Sequence, residues 1–151
     1  MTPLSVEIDV VVAIDGPVPV EPSQLAALVE YALSAEGASG EWAVAVVLTG
    51  DEHLRQLHRD FMGIDEETDV MTFPLSEDGS RDEQGGDIVI SVDRAAEQGA
   101  EAGQTVADEI RFLAVHGVLH LCGWNDDTPE RRNGMHARQT EIIGSYATGL
   151  R

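Results

Sequence analysis

His116 and His120 stand four residues apart in the run His116-Gly117-Val118-Leu119-His120-Leu121-Cys122-Gly123-Trp124-Asn125-Asp126. Residues at that separation share one face of an α-helix, one turn apart. Two imidazoles so placed can meet one metal ion at about 2.0–2.1 Å, the length of a zinc–nitrogen bond. A third ligand must come from elsewhere. Gly123 can adopt a backbone conformation that ends the helix and turns the chain back. Asp126, three residues further on, can then reach the ion, and a carboxylate oxygen serves zinc at about 2.0–2.2 Å.

The whole pattern, H-x-x-x-H-x-x-G-x-x-D, has the spacing of the long zinc motif in metzincin proteases, where the last position is usually His. Asp127 is the competing third ligand, but only Asp126 has the motif's spacing. Two histidines at this separation on an apolar helix are, by themselves, compatible with satisfied core residues; the Gly and the acid at the right offsets point to a metal instead. The protease version places a Glu directly after the first His as general base. Here that residue is Gly117, so the metal geometry is kept and the peptidase base is absent. Cys122 lies close enough to His120 in sequence to be tested as a further ligand.

The elements that must position these groups read as α+β. Residues 5–13, rich in Val and Ile, predict a strand. Pro17, Pro19 and Pro22 punctuate a loop, and Ser23 is the expected cap of a helix ending near Gly37. A strand follows over 41–50, then a helix from Asp51 to about Gly63. Two short strands over 70–75 and 86–92 flank an acidic loop near 76–85, expected to be the most exposed and mobile segment. A short helix follows from Asp93. Thr105 and Asp108 form a capping box for the helix that carries the two histidines. Asp127, Thr128 and Pro129 start a last helix running to about 149. The expectation is one domain over 1–151: a mixed sheet of about four strands packed with about five helices.

Composition narrows the function. The chain has 151 residues, 42% of them hydrophobic, enough for one compact core. The N-terminus lacks the basic start and apolar run of a signal peptide. No apolar stretch approaches the roughly 18 residues of a membrane span. The single cysteine, Cys122, forbids an internal disulfide. A cytoplasmic location with no membrane contact is expected. The formal charge is −19, with 28 acidic residues against nine basic ones, all of them Arg. That balance opposes tight, non-specific nucleic-acid binding, which depends on neutralising phosphates. Arg131, Arg132 and Arg138 follow the His motif and read as partners of acidic neighbours on a solvated helix face.

At this point the residues resemble a known family. HGVLHLCGW is similar to the signature H-G-x-L-H-L-x-G-(Y or W)-D-H of the YbeY family of bacterial ribosomal-RNA endoribonucleases. Upstream, Thr68-Asp69-Val70-Met71-Thr72-Phe73-Pro74 resembles its T-D-V-L-S-F-P strand, and Gly86-Asp87-Ile88-Val89-Ile90-Ser91 its G-D-I-x-I-S strand. The resemblance implies a zincin-like α+β fold and one zinc ion held by three motif side chains, here His116, His120 and Asp126. It also implies single-strand-specific cleavage of RNA, used in 3′-end maturation of small-subunit ribosomal RNA and in ribosome quality control. Ribosomal proteins or a ribosome-associated GTPase are the partners it suggests.

Two departures stand out. The family's third ligand is His, where this chain has Asp126, and the residue before it is Asn125. An anionic ligand lowers the site's positive charge and leaves the zinc a weaker Lewis acid. The family's functional Arg, six residues before the Thr of T-D-V, falls on Met62 here. Arg59, about one helical turn earlier, is the substitute candidate for clamping a phosphate; a solvated helix arginine is the simpler reading. His53, His58 and His136 read as surface residues. The leading expectation is metal-assisted cleavage of an RNA phosphodiester, with zinc polarising a phosphoryl oxygen or activating a water. The proton acceptor is left open among that water, the RNA 2′-hydroxyl and a carboxylate such as Asp87. A non-catalytic ribosome-assembly module with a structural or vestigial metal site is the second reading, and a metallohydrolase of another substrate the third.

Overall fold

The computed structural model describes residues 2–75 and 84–149. The segment expected to be mobile, near 76–85, falls almost wholly outside the described residues. In chain order the elements are β1 (Leu4–Val12), α1 (Pro22–Ala35), β2 (Gly40–Thr49), α2 (Asp51–Met62), β3 (Val70–Pro74), β4 (Gln84–Ser91), α3 (Val92–Glu101), α4 (Val106–Leu121) and α5 (Pro129–Gly149). The expected α+β class, four strands and five helices are all present. One helix start differs. Ser23 does not cap α1; the carboxylate of Glu21 does, accepting from both the amide and the hydroxyl of Ser23 at 2.9 and 2.7 Å. Pro22 takes the first helical position, which suits its fixed φ and missing N–H.

The sheet is mixed, in the order β1-β2-β4-β3. β2 runs parallel to both β1 and β4, and β3 closes the edge antiparallel to β4 with Val70 opposite Ile90 and Phe73 opposite Asp87. β1 alternates half-buried Leu4, Val6, Ile8 and Val10 with exposed Ser5, Glu7, Asp9 and Val11, as a strand with one covered face must. Ile88 and Ile90 of β4 are wholly buried and meet α4. α1 and α4 lie on this sheet with α5 behind them, while α2 packs against β3 and β4.

α4 is buried nearly all round, with Ile110, Leu113, Ala114, Val115, Val118 and Leu119 in the core. Its expected capping box is formed: the Asp108 amide donates to Thr105 Oγ1 at 3.0 Å, and the Thr105 amide to the Asp108 carboxylate at 3.4 Å. Such burial fixes the helix's rotation and height over the sheet, and with them the direction of any side chain at its C-terminal end.

Candidate metal centre

His116 and His120 leave α4 on one face with ring centroids 4.6 Å apart and planes nearly perpendicular, at 83°. The helix ends where Gly123 takes φ +99°, a conformation L side chains rarely adopt. The Gly123 amide then donates to the His120 carbonyl and the Trp124 amide to the Leu119 carbonyl, both at 3.0 Å. This turn brings Asp126 back over the histidines. Its Oδ2 stands 3.3 Å from His116 Nε2 and 3.4 Å from His120 Nε2, and the two Nε2 atoms are 3.0 Å apart.

The protonation of these rings is set by what lies behind them. Gln139, wholly buried on α5, donates through Nε2 to the Phe112 carbonyl at 3.0 Å, which turns its Oε1 toward His116 Nδ1 at 2.9 Å. An amide oxygen only accepts, so Nδ1 of His116 carries the proton. His120 Nδ1 likewise donates to the Trp124 carbonyl at 3.0 Å. With Nδ1 as the protonated nitrogen, the neutral form of each ring holds a bare lone pair at Nε2. The 3.0 Å contact between them is then no hydrogen bond. Two lone pairs and a carboxylate oxygen converge on one point.

That arrangement fits a metal ion. A tetrahedral zinc with bonds of about 2.0–2.1 Å has ligand–ligand edges of about 3.3–3.4 Å, close to the triangle seen here. Nδ1–H donation to an amide or main-chain carbonyl is the usual outer support of a ligating imidazole. Among the described residues, His116, His120 and Asp126 form the one group of three or more potential ligands with all donor atoms within 4.8 Å of one another.

A second layer braces the turn. Trp124 Nε1 donates to Glu36 Oε1 at 2.6 Å, and Arg138 Nε donates to Glu36 Oε2 at 2.7 Å. Glu36, at the end of α1 and only 8% exposed, thus ties the residue whose carbonyl orients His120 to α5.

The competing groups lie elsewhere. Asp127 is exposed and paired with Arg131 at 2.8 Å. Cys122 packs against the core, and burial together with nearby Glu36 pushes its thiol up to about 11, so it stays protonated at neutral pH. Gly117 faces β4, where an added Cβ would stand 2.5 Å from Ile88 Cγ2. The position of a peptidase's base is therefore filled by helix–sheet packing.

A cleft of about 300 Å³ opens over the triangle, lined by His58 and Met62 of α2, by Thr68, Asp69, Val70, Met71 and Thr72 leading into β3, and by His116, His120 and Asp126. Arg59, the candidate phosphate clamp, is not among the residues that line it. Met62 and His58, four apart, share the cleft face, whereas Arg59 is turned to the next face of α2. There it lines a separate depression with Glu52, Arg55 and Gln56, 52% exposed and 3.6 Å from Asp60. His58, read from sequence as a surface residue, is half-buried in the cleft. The signal was available: position 58 is one turn behind Met62 on the same face of α2. His53 is exposed and bonded to Thr49. His136 is exposed on α5 with its ring 6.1 Å from that of His116. Its pKa is lowered by burial first, then by His116 and Arg132, against the opposing pull of Asp126 and Asp69. Asp87 is exposed on β4 and does not line the cleft.

Fold and site together define a mixed-sheet α+β protein with a histidine–carboxylate pocket of the kind that holds a divalent metal. Residues 18–147 match the family described as Endoribonuclease YbeY. The chain is 40% identical to Endoribonuclease YbeY of Moorella thermoacetica, over 85% of this chain and 87% of that one. It is 34% identical to the protein of the same name from Bacillus subtilis, over 79% and 82%. The chain belongs to the endoribonuclease YbeY family. Its fold is similar to the solution structure of TM1509 from Thermotoga maritima, with a TM-score of 0.59 at 24% identity, covering 95% of this chain and 93% of that one. Among the described residues no helix is long and apolar enough to cross a membrane.

Proposed function

We propose that this chain is a zinc-dependent, single-strand-specific endoribonuclease. In this reading it acts in the cytoplasm, in 3′-end maturation of small-subunit ribosomal RNA and in ribosome quality control. Ribosomal proteins or a ribosome-associated GTPase are its partners. Membership of the endoribonuclease YbeY family supports the reaction class. The observation that carries the metal is the triangle of His116 Nε2, His120 Nε2 and Asp126 Oδ2, with edges of 3.0, 3.3 and 3.4 Å and with both imidazole protons drawn away to Gln139 and Trp124.

These three side chains would hold the zinc. When bound, it would supply Lewis-acid polarisation of a phosphoryl oxygen or of a water. The protein's own contribution is orientation. Gln139 and Trp124 keep both rings in the metal-binding tautomer, and the Thr68–Thr72 segment forms the wall along which a single strand would lie. Asp126 brings a negative charge that a third His would not, so the metal's pull on a water is weaker here.

The test is elemental analysis of purified protein beside cleavage of a single-stranded RNA, with and without chelator. About one zinc per chain and chelator-sensitive cleavage are expected. A second reading, a ribosome-assembly module without catalysis, draws on charge. Six arginines, Arg55, Arg59, Arg94, Arg111, Arg131 and Arg138, are already paired with carboxylates in a chain of net charge −19. Zinc-loaded protein that leaves RNA intact would establish that reading instead.

A further inference from the structure

We infer that His58 is the general base of the cleft, its Nε2 taking the proton from the water that attacks the RNA phosphorus. The inference rests on the endoribonuclease reading above. The reaction needs a proton acceptor, and the position that supplies one in zinc peptidases is Gly117, pressed against Ile88. The acceptor is therefore sought among the other residues that line the cleft. Asp126, His116 and His120 are committed to one another. Asp69 accepts a hydrogen bond from Gln98 Nε2 at 3.3 Å.

His58 remains, and its tautomer is fixed. Its Nδ1 lies 3.0 Å from the main-chain carbonyl of Glu66. A carbonyl only accepts, so in the neutral ring Nδ1 carries the proton and Nε2 the lone pair. α2 presents the ring to the cleft beside Met62. A base oriented from behind by a third group is the usual arrangement for activating a nucleophile. The carboxylate of Asp126, by weakening metal activation of water, gives a side-chain base more to do.

In the step, a water O–H bond breaks and its proton passes to His58 Nε2. The water oxygen bonds to phosphorus as the P–O bond to the departing strand breaks, and that oxygen takes a proton from solvent. The imidazolium then returns its proton to solvent, and no electrons change hands.

The experiment compares zinc-loaded wild type, His58→Ala and His58→Asn on one single-stranded RNA. His58→Ala is expected to lower kcat by about 100- to 10,000-fold with KM and zinc content unchanged, and added imidazole should restore part of the rate. His58→Asn keeps a donor for the Glu66 carbonyl but has no nitrogen at the Nε2 position, so it should fail equally. Wild-type kcat in His58→Asn would reduce His58 to an anchor for the 66–69 segment and overturn the proposal. Nitrogen-15 NMR of the wild type should show the Nδ1–H tautomer; the Nε2–H tautomer would overturn it too. Wild type that cleaves nothing sinks the nuclease reading and this one together, whereas a fully active His58→Ala sinks this one alone.

Discussion

α2 borders two polar depressions of the same size, each about 300 Å³, and they differ in what their charges have found. In the first, Arg55 meets Asp65 at 2.9 Å, and the lining carboxylates Asp51 and Glu67 are held by neighbouring Arg94 at 3.4 and 3.0 Å. Every group named there has an opposite partner, and nothing in the arrangement calls for a ligand. In the second, two imidazole lone pairs and a carboxylate face one another at 3.0–3.4 Å with both ring protons turned away. Such a cluster is suited to a cation at its centre. Polarity and volume do not tell a site from a solvated surface; the unmet electrostatic demand does.

The sharpest way to break this contrast is to remove a ligand. Asp126→Ala or His120→Ala should take zinc from about one per chain to none by elemental analysis, while Asp127→Ala and Cys122→Ser keep it. Loss of zinc in Asp127→Ala but not in Asp126→Ala would reassign the third ligand. Next in size is the support. Gln139→Leu removes the acceptor that fixes the His116 tautomer, and zinc affinity should fall about 10- to 100-fold in a chelator competition. Unchanged affinity would mean the triangle holds without its backing. Gly117→Ala probes the packing under the site. Overpacking against Ile88 costs about 1–3 kcal/mol, partly offset by about 1 kcal/mol of helix propensity, so urea denaturation should show a net loss. Smallest of all is Arg59→Ala. As an exposed pair in the satisfied depression, it should shift stability by no more than about 0.5 kcal/mol and leave kcat/KM near wild type. A large fall in kcat/KM would show that Arg59 reaches the substrate after all.

That His116, His120 and Asp126 converge was legible in the sequence because a four-residue helical spacing and a glycine turn are local rules, and α4 and the turn after it obey both. The element order was legible for the same reason. The capping of α1 was misread because Ser23 is a common cap, yet Pro22 just before it already marks the first helical position and so hands the cap to Glu21. Arg59, three residues before Met62, lies about 60° round the helix from it, whereas His58, four residues before, lies about 40° to the other side. Gln139 and Glu36 were out of reach: they lie 23 and 88 residues from the groups they hold, His116 and Trp124. Only the packing of α5 and α1 on α4 brings them there.

That dependence on α5 sets an order of events during synthesis. A nascent chain that has released α4 but not yet α5 already carries both ligand histidines. It lacks Gln139 behind one ring and Arg138 at the brace behind the other. The His116 ring is free to exchange tautomers, and on the zinc reading the hold on a metal is correspondingly looser. On the zinc reading proposed above, the backing of the site is complete only once the final helix has docked on α4.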